Sequence, residues 1–130
     1  AAEKVALIHK TSASHLHVVA IVKDSANYLF GRVPIDKSTE VPISLVRYVA
    51  RTKQTVDALD NTFARYSYLQ RVRPKSMVCL PLLLQGECHG ILYLENRYVS
   101  GLFTDEKIDT AKYLGTQAVF VLRLIWVECG

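Results

Sequence analysis

Apolar residues interleave with polar ones in two β-rich runs near the start of the chain, Lys4 to Thr11 (KVALIHKT) and His15 to Lys23 (HLHVVAIVK), with Ser12-Ala13-Ser14 between them. This pattern predicts an antiparallel hairpin. In the first run Val5, Leu7 and His9 share a face; in the second His15, His17, Val19 and Ile21 do, so His9 and His17 are expected to face each other. Tyr28 to Val33 extends the meander, with Gly31 as a bend or bulge. Pro34 and Pro42 then bracket a polar loop.

From Ile43 to Lys53 the period changes. Leu45, Val46, Val49 and Ala50 recur at helical spacing while Arg47, Arg51 and Lys53 point away, which predicts an amphipathic helix of about three turns. Thr55-Val56 reads as a brief strand, and Asp57 to Arg73 as a long loop containing a short helix. Long ordered loops in compact domains are often functional. Ser76 to Leu84 (SMVCLPLLL) and Cys88 to Asn96 (CHGILYLEN) flank Gln85-Gly86-Glu87, the strongest hairpin signal in the chain. Pro81 marks an edge, bulge or strand start, because it cannot donate to a ladder. Gly90 marks a close approach.

Thr104 is a good N-cap, with Asp105 and Glu106 in the first turn, and helical spacing runs from there to about Cys129. Ile108, Ala111, Gly115, Ala118, Leu122, Ile125 and Cys129 recur at alternating spacings of three and four, a heptad-like seam. After Ala118 the helix is apolar nearly all round. One face can cover a sheet; the others are exposed unless a second chain covers them. The order β-β-β-α-loop-β-β-α, built from antiparallel hairpins, predicts an α+β domain and argues against a doubly wound parallel sheet.

With 130 residues the chain fits one domain, 1–130, and half of its residues are apolar. No apolar run reaches the roughly 20 residues that span a bilayer, so no membrane partner is expected. The net charge is +4, but the basic residues are scattered and only Arg71, Arg73 and Lys75 cluster. A nucleic-acid module presents a more continuous stripe, so no nucleic-acid partner is expected. Three cysteines without metal-ligand spacing point to a reducing, cytoplasmic compartment.

Three segments together carry a family likeness: PISLVRYVARTKQTV (42–56), RPKSMVCLPLLLQGECHGILYLEN (73–96) and GLFTDEKIDTAKYLGTQAVFVL (101–122). From Pro42 to Val121 the chain resembles a GAF domain, in particular those of multi-domain hybrid histidine kinases; the residues before Pro42 match in layout alone. The resemblance implies a central antiparallel sheet of about six strands with helices packed on it and a small-molecule pocket between sheet and loops. It also implies excision from a larger signalling protein with a kinase domain downstream, and terminal helices that pair in a homodimer.

Subtypes of the family separate on particular residues. Bilin-binding relatives attach a tetrapyrrole through a Cys often followed by His. Cys88-His89 is such a dipeptide but opens a strand, away from the family's attachment segment, so no covalent bilin is expected. Asn96-Arg97…Phe103-Thr104-Asp105-Glu106 is similar to a cyclic-nucleotide pattern, with Arg in place of Lys and a shortened Phe–Asp spacing. His9 and His17 lack a third ligand, so no metal site is expected. No nucleophile–base–acid set, Gly-rich phosphate loop or Cys-x-x-Cys stands out, and no catalytic residue is assigned.

The aromatic faces and hydrogen-bonding tips of the long loop and its surroundings suit a small ligand. Asp57, Asn61, Phe63, Tyr66, Tyr68, Arg73, Lys75, Tyr93 and Glu95 are the candidate ligand residues. Ile108, Ala111, Ala118, Leu122, Ile125 and Trp126 are the candidate dimer seam. The expected function is regulatory sensing of an unidentified small molecule, relayed through the last helix. A structural dimerisation module without ligand is the alternative, and a thiol-dependent reductase using Cys79 and Cys88, similar to methionine sulfoxide reductases of the family, is the third reading.

Overall fold

The computed structural model describes residues 4–12, 15–24, 27–57 and 66–126, with the side chains of 27–29 and 126 outside that description. Five strands form one antiparallel sheet: β1 (Lys4–Ser12), β2 (His15–Lys23), β3 (Asn27–Pro34), β4 (Ser76–Leu84) and β5 (Glu87–Asn96), in the order β3-β2-β1-β5-β4. Two helices, α1 (Ile43–Thr52) and α2 (Ser67–Val72), accompany one face; α3 (Asp105–Trp126) lies on the other.

The β4–β5 hairpin turns through two residues, Gln85 and Gly86, both with positive φ (54° and 79°). A turn of that hand matches the twist of the strands it joins. Both strands are buried along most of their length because the sheet is covered twice. Met77, Cys79, Ile91 and Tyr93 enter the core under α1 and α2, while Val78, Leu80, Leu82 and Leu92 enter the core under α3. Leu45, Val46 and Val49 are the buried stripe of α1, as their spacing predicts.

Among the described residues the sheet has five strands where about six were expected, and Pro81 supplies a reason on one side of the Val56 bridge. Cys79 exchanges both backbone hydrogen bonds with Val56 across the outer edge of β4, at 2.8 and 2.9 Å. The two-residue repeat turns Pro81 toward that same edge, where it has no N–H to give. Thr55-Val56 therefore amounts to a single bridge. A second correction concerns β2. A register irregularity opposite Leu7/Ile8 breaks the alternation, so Leu16, Val18 and Ile21 share the α1-side core and the expected His15, His17, Val19, Ile21 face does not persist.

Thr104 caps α3 as expected: its Oγ1 accepts from Lys107 N–H at 3.4 Å and its carbonyl from Ile108 N–H at 2.9 Å. Two glycines bring this helix close to the sheet. A Cβ on Gly115 would lie 2.8 Å from Leu82 Cδ2. One on Gly90 would lie 2.8 Å from both Val119 Cγ2 and the Ile8 carbonyl oxygen. Leu82 can rotate away, but the Ile8 backbone cannot. Gly90→Ala is therefore expected to cost about 1–3 kcal/mol, in the range of overpacked cores. Gly115→Ala is expected to stay near neutral, because the gain in helix propensity of about 1 kcal/mol offsets the crowding. Urea unfolding of the two variants checks this, and equal stabilities would contradict the packing described.

Candidate functional site

The register of the sheet sets three long polar side chains side by side. Lys4 of β1 is opposite Lys23 of β2 and opposite Glu95 of β5, so the three form a row on the α1-side face near one end of the sheet. Two adjacent ammonium groups repel. Glu40, from the loop before α1, answers both, with Oε2 2.8 Å from Lys4 Nζ and 2.7 Å from Lys23 Nζ.

Helix α2 lays Tyr68 over this row. Lys4 Nζ donates to Tyr68 Oη at 2.9 Å and to the Glu40 carbonyl at 3.0 Å; with the Glu40 carboxylate these occupy the three ammonium protons. Tyr68 in turn donates to Glu95 Oε1 at 2.6 Å, and Tyr93 donates to the same oxygen at 2.8 Å. The two phenol rings meet edge to face with centroids 6.0 Å apart. Glu95 is 2% exposed. Burial, followed by hydrogen bonds and charge from Glu95, pushes both tyrosines well above the ordinary phenol range, so they remain donors. For Glu40 burial acts upward, but the hydrogen bonds and charges of Lys23 and Lys4 outweigh it, and its pKa is lowered.

A cleft of about 290 Å³ opens beside this network, lined by Lys4, Lys23, Glu40, Arg71, Glu95 and Arg97 among others. A second, of about 390 Å³, is lined by Pro42, Ile43, Tyr66 and Tyr68. Thr39 and Arg71 line both, joined where Arg71 Nη2 donates to the Thr39 carbonyl at 3.0 Å. Of the residues expected from sequence, Tyr68, Tyr93 and Glu95 are thus in one network, with half-buried Tyr66 next to it. Asp57 and Lys75 line a separate cleft of about 180 Å³. Arg73 is exposed and caps α2 in a left-handed conformation, its Nε donating to the Gln70 carbonyl at 3.2 Å. Asn61 and Phe63 lie outside the described residues. Lys4, Lys23, Glu40, Arg71 and Arg97 were not anticipated. The one available signal was the hairpin register, which sets Lys4 against Lys23.

Other sequence features resolve locally. Asn96 Oδ1 accepts from the N–H groups of Tyr98 and Val99 at 2.8 and 2.9 Å, shaping the turn after β5. Cys79 and Cys88 are buried, and burial raises both thiols, which disfavours the thiolate that sulfur chemistry needs. His9 and His17 are opposite each other across β1 and β2, as expected. Among the described residues no group of three His, Cys, Asp or Glu is placed to hold a metal ion.

On α3 the sequence seam divides. Ile108 is buried on the sheet and Ala111 packs partly on the same core, while Ala118 and Leu122 are half-buried at the margin. Ile125 is exposed; the Trp126 side chain lies outside the described residues. The apolar surface facing out runs through Tyr113, Leu114, Phe120, Val121, Leu124 and Ile125. Among the described residues no helix is long and apolar enough to cross a membrane.

The family model described as GAF domain matches residues 2–122. Over 86 residues, 63% of this chain, the sequence is 35% identical to hybrid signal transduction histidine kinase G of Dictyostelium discoideum, of whose length the match spans 2%. The GAF domain of a two-component sensor histidine kinase from Bacillus halodurans superposes with a TM-score of 0.66 at 12% identity, covering 100% of this chain and 87% of that one. Residues 122 to 287 of a methyl-accepting chemotaxis protein superpose with a TM-score of 0.63 at 20% identity, covering 95% and 81%.

The shifted groups fix how stability depends on pH. Burial first, then the positive charge of Arg32 (on His9 and His17) or Arg123 (on His89), lowers three imidazoles below 6.5. Between that value and the folded ones, the unfolded chain binds protons that the folded chain does not, so stability falls as pH falls through this window. Glu40 acts in the same direction lower down: its contribution is present above its ordinary carboxylate pKa and lost as pH falls through the lowered one. Urea midpoints are expected to drop steadily from about pH 7.5 to about pH 4. Glu40→Gln is expected to be less stable at neutral pH by about 1–2 kcal/mol and flatter below about pH 5. A midpoint independent of pH would contradict these assignments.

Proposed function

The chain belongs to the GAF domain family, and on that premise we propose that it is a regulatory sensor and dimerisation domain of a larger histidine-kinase-type signalling protein. A small molecule occupies the paired clefts beside α2, and its presence is relayed through α3 to a kinase domain elsewhere in the protein. The domain regulates and does not itself catalyse, and it works in the cytoplasm.

The observation that carries this reading is the buried charged row at the cleft. Burying Lys4 and Glu95 costs free energy that a plain apolar core avoids. A fold that places such groups on the floor of an open cleft, with α2 held over them by Tyr68, has the makeup of a ligand site. The kinase relationship is supported by the 35% identity to the hybrid kinase.

Dimerisation rests on α3. Leu114, Gln117, Val121 and Leu124 are all exposed and recur at spacings of three, four and three, flanked by exposed Tyr113, Phe120 and Ile125. That spacing suits a two-stranded seam. A ligand biases the output when it prefers one arrangement of that pair over another. The same apolar face favours a second reading, a structural dimerisation module in which the clefts stay empty.

Native mass spectrometry of the freshly purified domain separates the two. The sensor reading expects a dimer carrying a discrete small-molecule mass, and Val121→Glu with Leu124→Glu should give a folded monomer that keeps it. A dimer of bare polypeptide mass would favour the structural module. A variant that still dimerises would refute this seam.

A further inference from the structure

The cleft beside the buried row draws its charges from separate parts of the chain: Lys4 from β1, Lys23 from β2, Glu40 from a loop, Arg71 from α2 and Arg97 from the segment after β5. Four cations and three carboxylates line it, a surplus of one positive charge. Internal pairing is uneven. One carboxylate, Glu40, serves two lysines. Buried Glu95 accepts from two phenols and faces Lys4 through the Tyr68 hydroxyl, so the two lysines and two carboxylates of the row balance, and the surplus comes from Arg71 and Arg97 against Asp24.

Arg71 stands apart in this set. Its Nη2 donates to a backbone carbonyl, and its guanidinium stands 5.3 Å from the centroid of the Tyr68 ring. Among the described residues no carboxylate is within ion-pair distance of it. A guanidinium has five donors in a rigid fork, so one bond to Thr39 leaves a face able to grip a planar or tetrahedral oxyanion. Stacking on Tyr68, itself fixed by Lys4 and Glu95, holds that fork at the boundary between the two clefts.

We propose that this cleft binds a small molecule through a compact anionic group, a carboxylate or a phosphate, gripped by Arg71 and favoured by the surplus positive charge of the cleft as a whole. The inference rests on the ligand-binding reading above and names its chemical class. The volume, about 290 Å³, is at the small end of ligand sites. Glu40, Glu95 and Asp24 along the same walls oppose a polyanion, so a head group of one or two charges fits and a polyphosphate or nucleic acid does not. The adjoining cleft beside Tyr66 and Tyr68 has room for the remainder of the molecule.

The test is titration of the intact domain with inorganic phosphate and, separately, with succinate, at constant ionic strength against chloride. Backbone amide NMR shifts and melting temperature are the readouts. At least one probe should saturate at low millimolar concentration with shifts at Thr39, Arg71 and Glu95, and which one does so distinguishes phosphate from carboxylate. Arg71→Gln should weaken binding about tenfold or more while its own melting temperature without ligand stays close to that of the parent. Arg71→Lys should recover only part of the loss, because it keeps the charge without the fork.

Saturable binding that Arg71→Gln leaves unchanged, or no saturation by either probe, would overturn the proposal. The broader reading is judged apart from it. A purified domain carrying a small-molecule mass that Arg71→Gln retains keeps the sensor function and rejects this anion site, whereas a domain binding nothing loses both.

Discussion

Lys4 and Glu95 are set at the same level of the sheet, buried, and joined through the hydroxyl of Tyr68. Neither charge is tolerable in that position alone, because an unpaired buried charge costs several kcal/mol. Each is therefore answered by groups from elsewhere in the chain: Glu40 from the loop before α1, Tyr68 from α2, Tyr93 from the adjacent row. Meeting that requirement fixes where the loop and the six-residue α2 can sit. A helix so short has little stability of its own, and its position comes from Tyr68 and Leu69, which are buried against the α1-side core.

The opposite face obeys a different constraint. There α3 is held by close packing without a polar network, through the glycine contacts at Gly90 and Gly115 and the buried Ile108 and Val119. Strand β5 serves both sides. Its Tyr93 and Glu95 belong to the charged face, and Leu92 and Leu94 to the α3 face. A shift of this strand would be felt on both faces, which gives the sensor reading a short physical route between cleft and helix. Such a route carries a signal only if the two faces have alternative arrangements that a ligand separates.

Much of this fold was legible from periodicity. The β4–β5 hairpin, the stripe of α1 and the cap of α3 follow from turn chemistry and local spacing, and those interactions are local. That Thr55-Val56 forms only a bridge was not, because it depends on Pro81 aligning with residue 54 across an edge. Nor was the irregularity in β2, where one extra residue reverses the facing pattern. Tyr68, Tyr93 and Glu95 were recognisable as polar-tipped residues near an expected pocket. Lys4, Glu40 and Arg71 look like ordinary surface charges in sequence, and tertiary register alone brings them together. The α3 seam shows a similar limit: a row at spacings of three and four has the same signature whether it covers a sheet or a partner, and Ile108 proves to cover the sheet.

Whether the charged row acts as a single unit is open to a double-mutant cycle on Lys4→Met and Glu95→Gln, with unfolding free energy measured for the parent, both single variants and the double variant. The expected result is strong coupling: the double variant loses less than the sum of the single losses by about 1–3 kcal/mol, because each single change strands the charge that remains. Amide exchange in α2 should accelerate in every variant, since Tyr68 loses a partner each time. Additive losses with α2 still protected would contradict the account, and would mean that the lysine and the glutamate merely sit near one another.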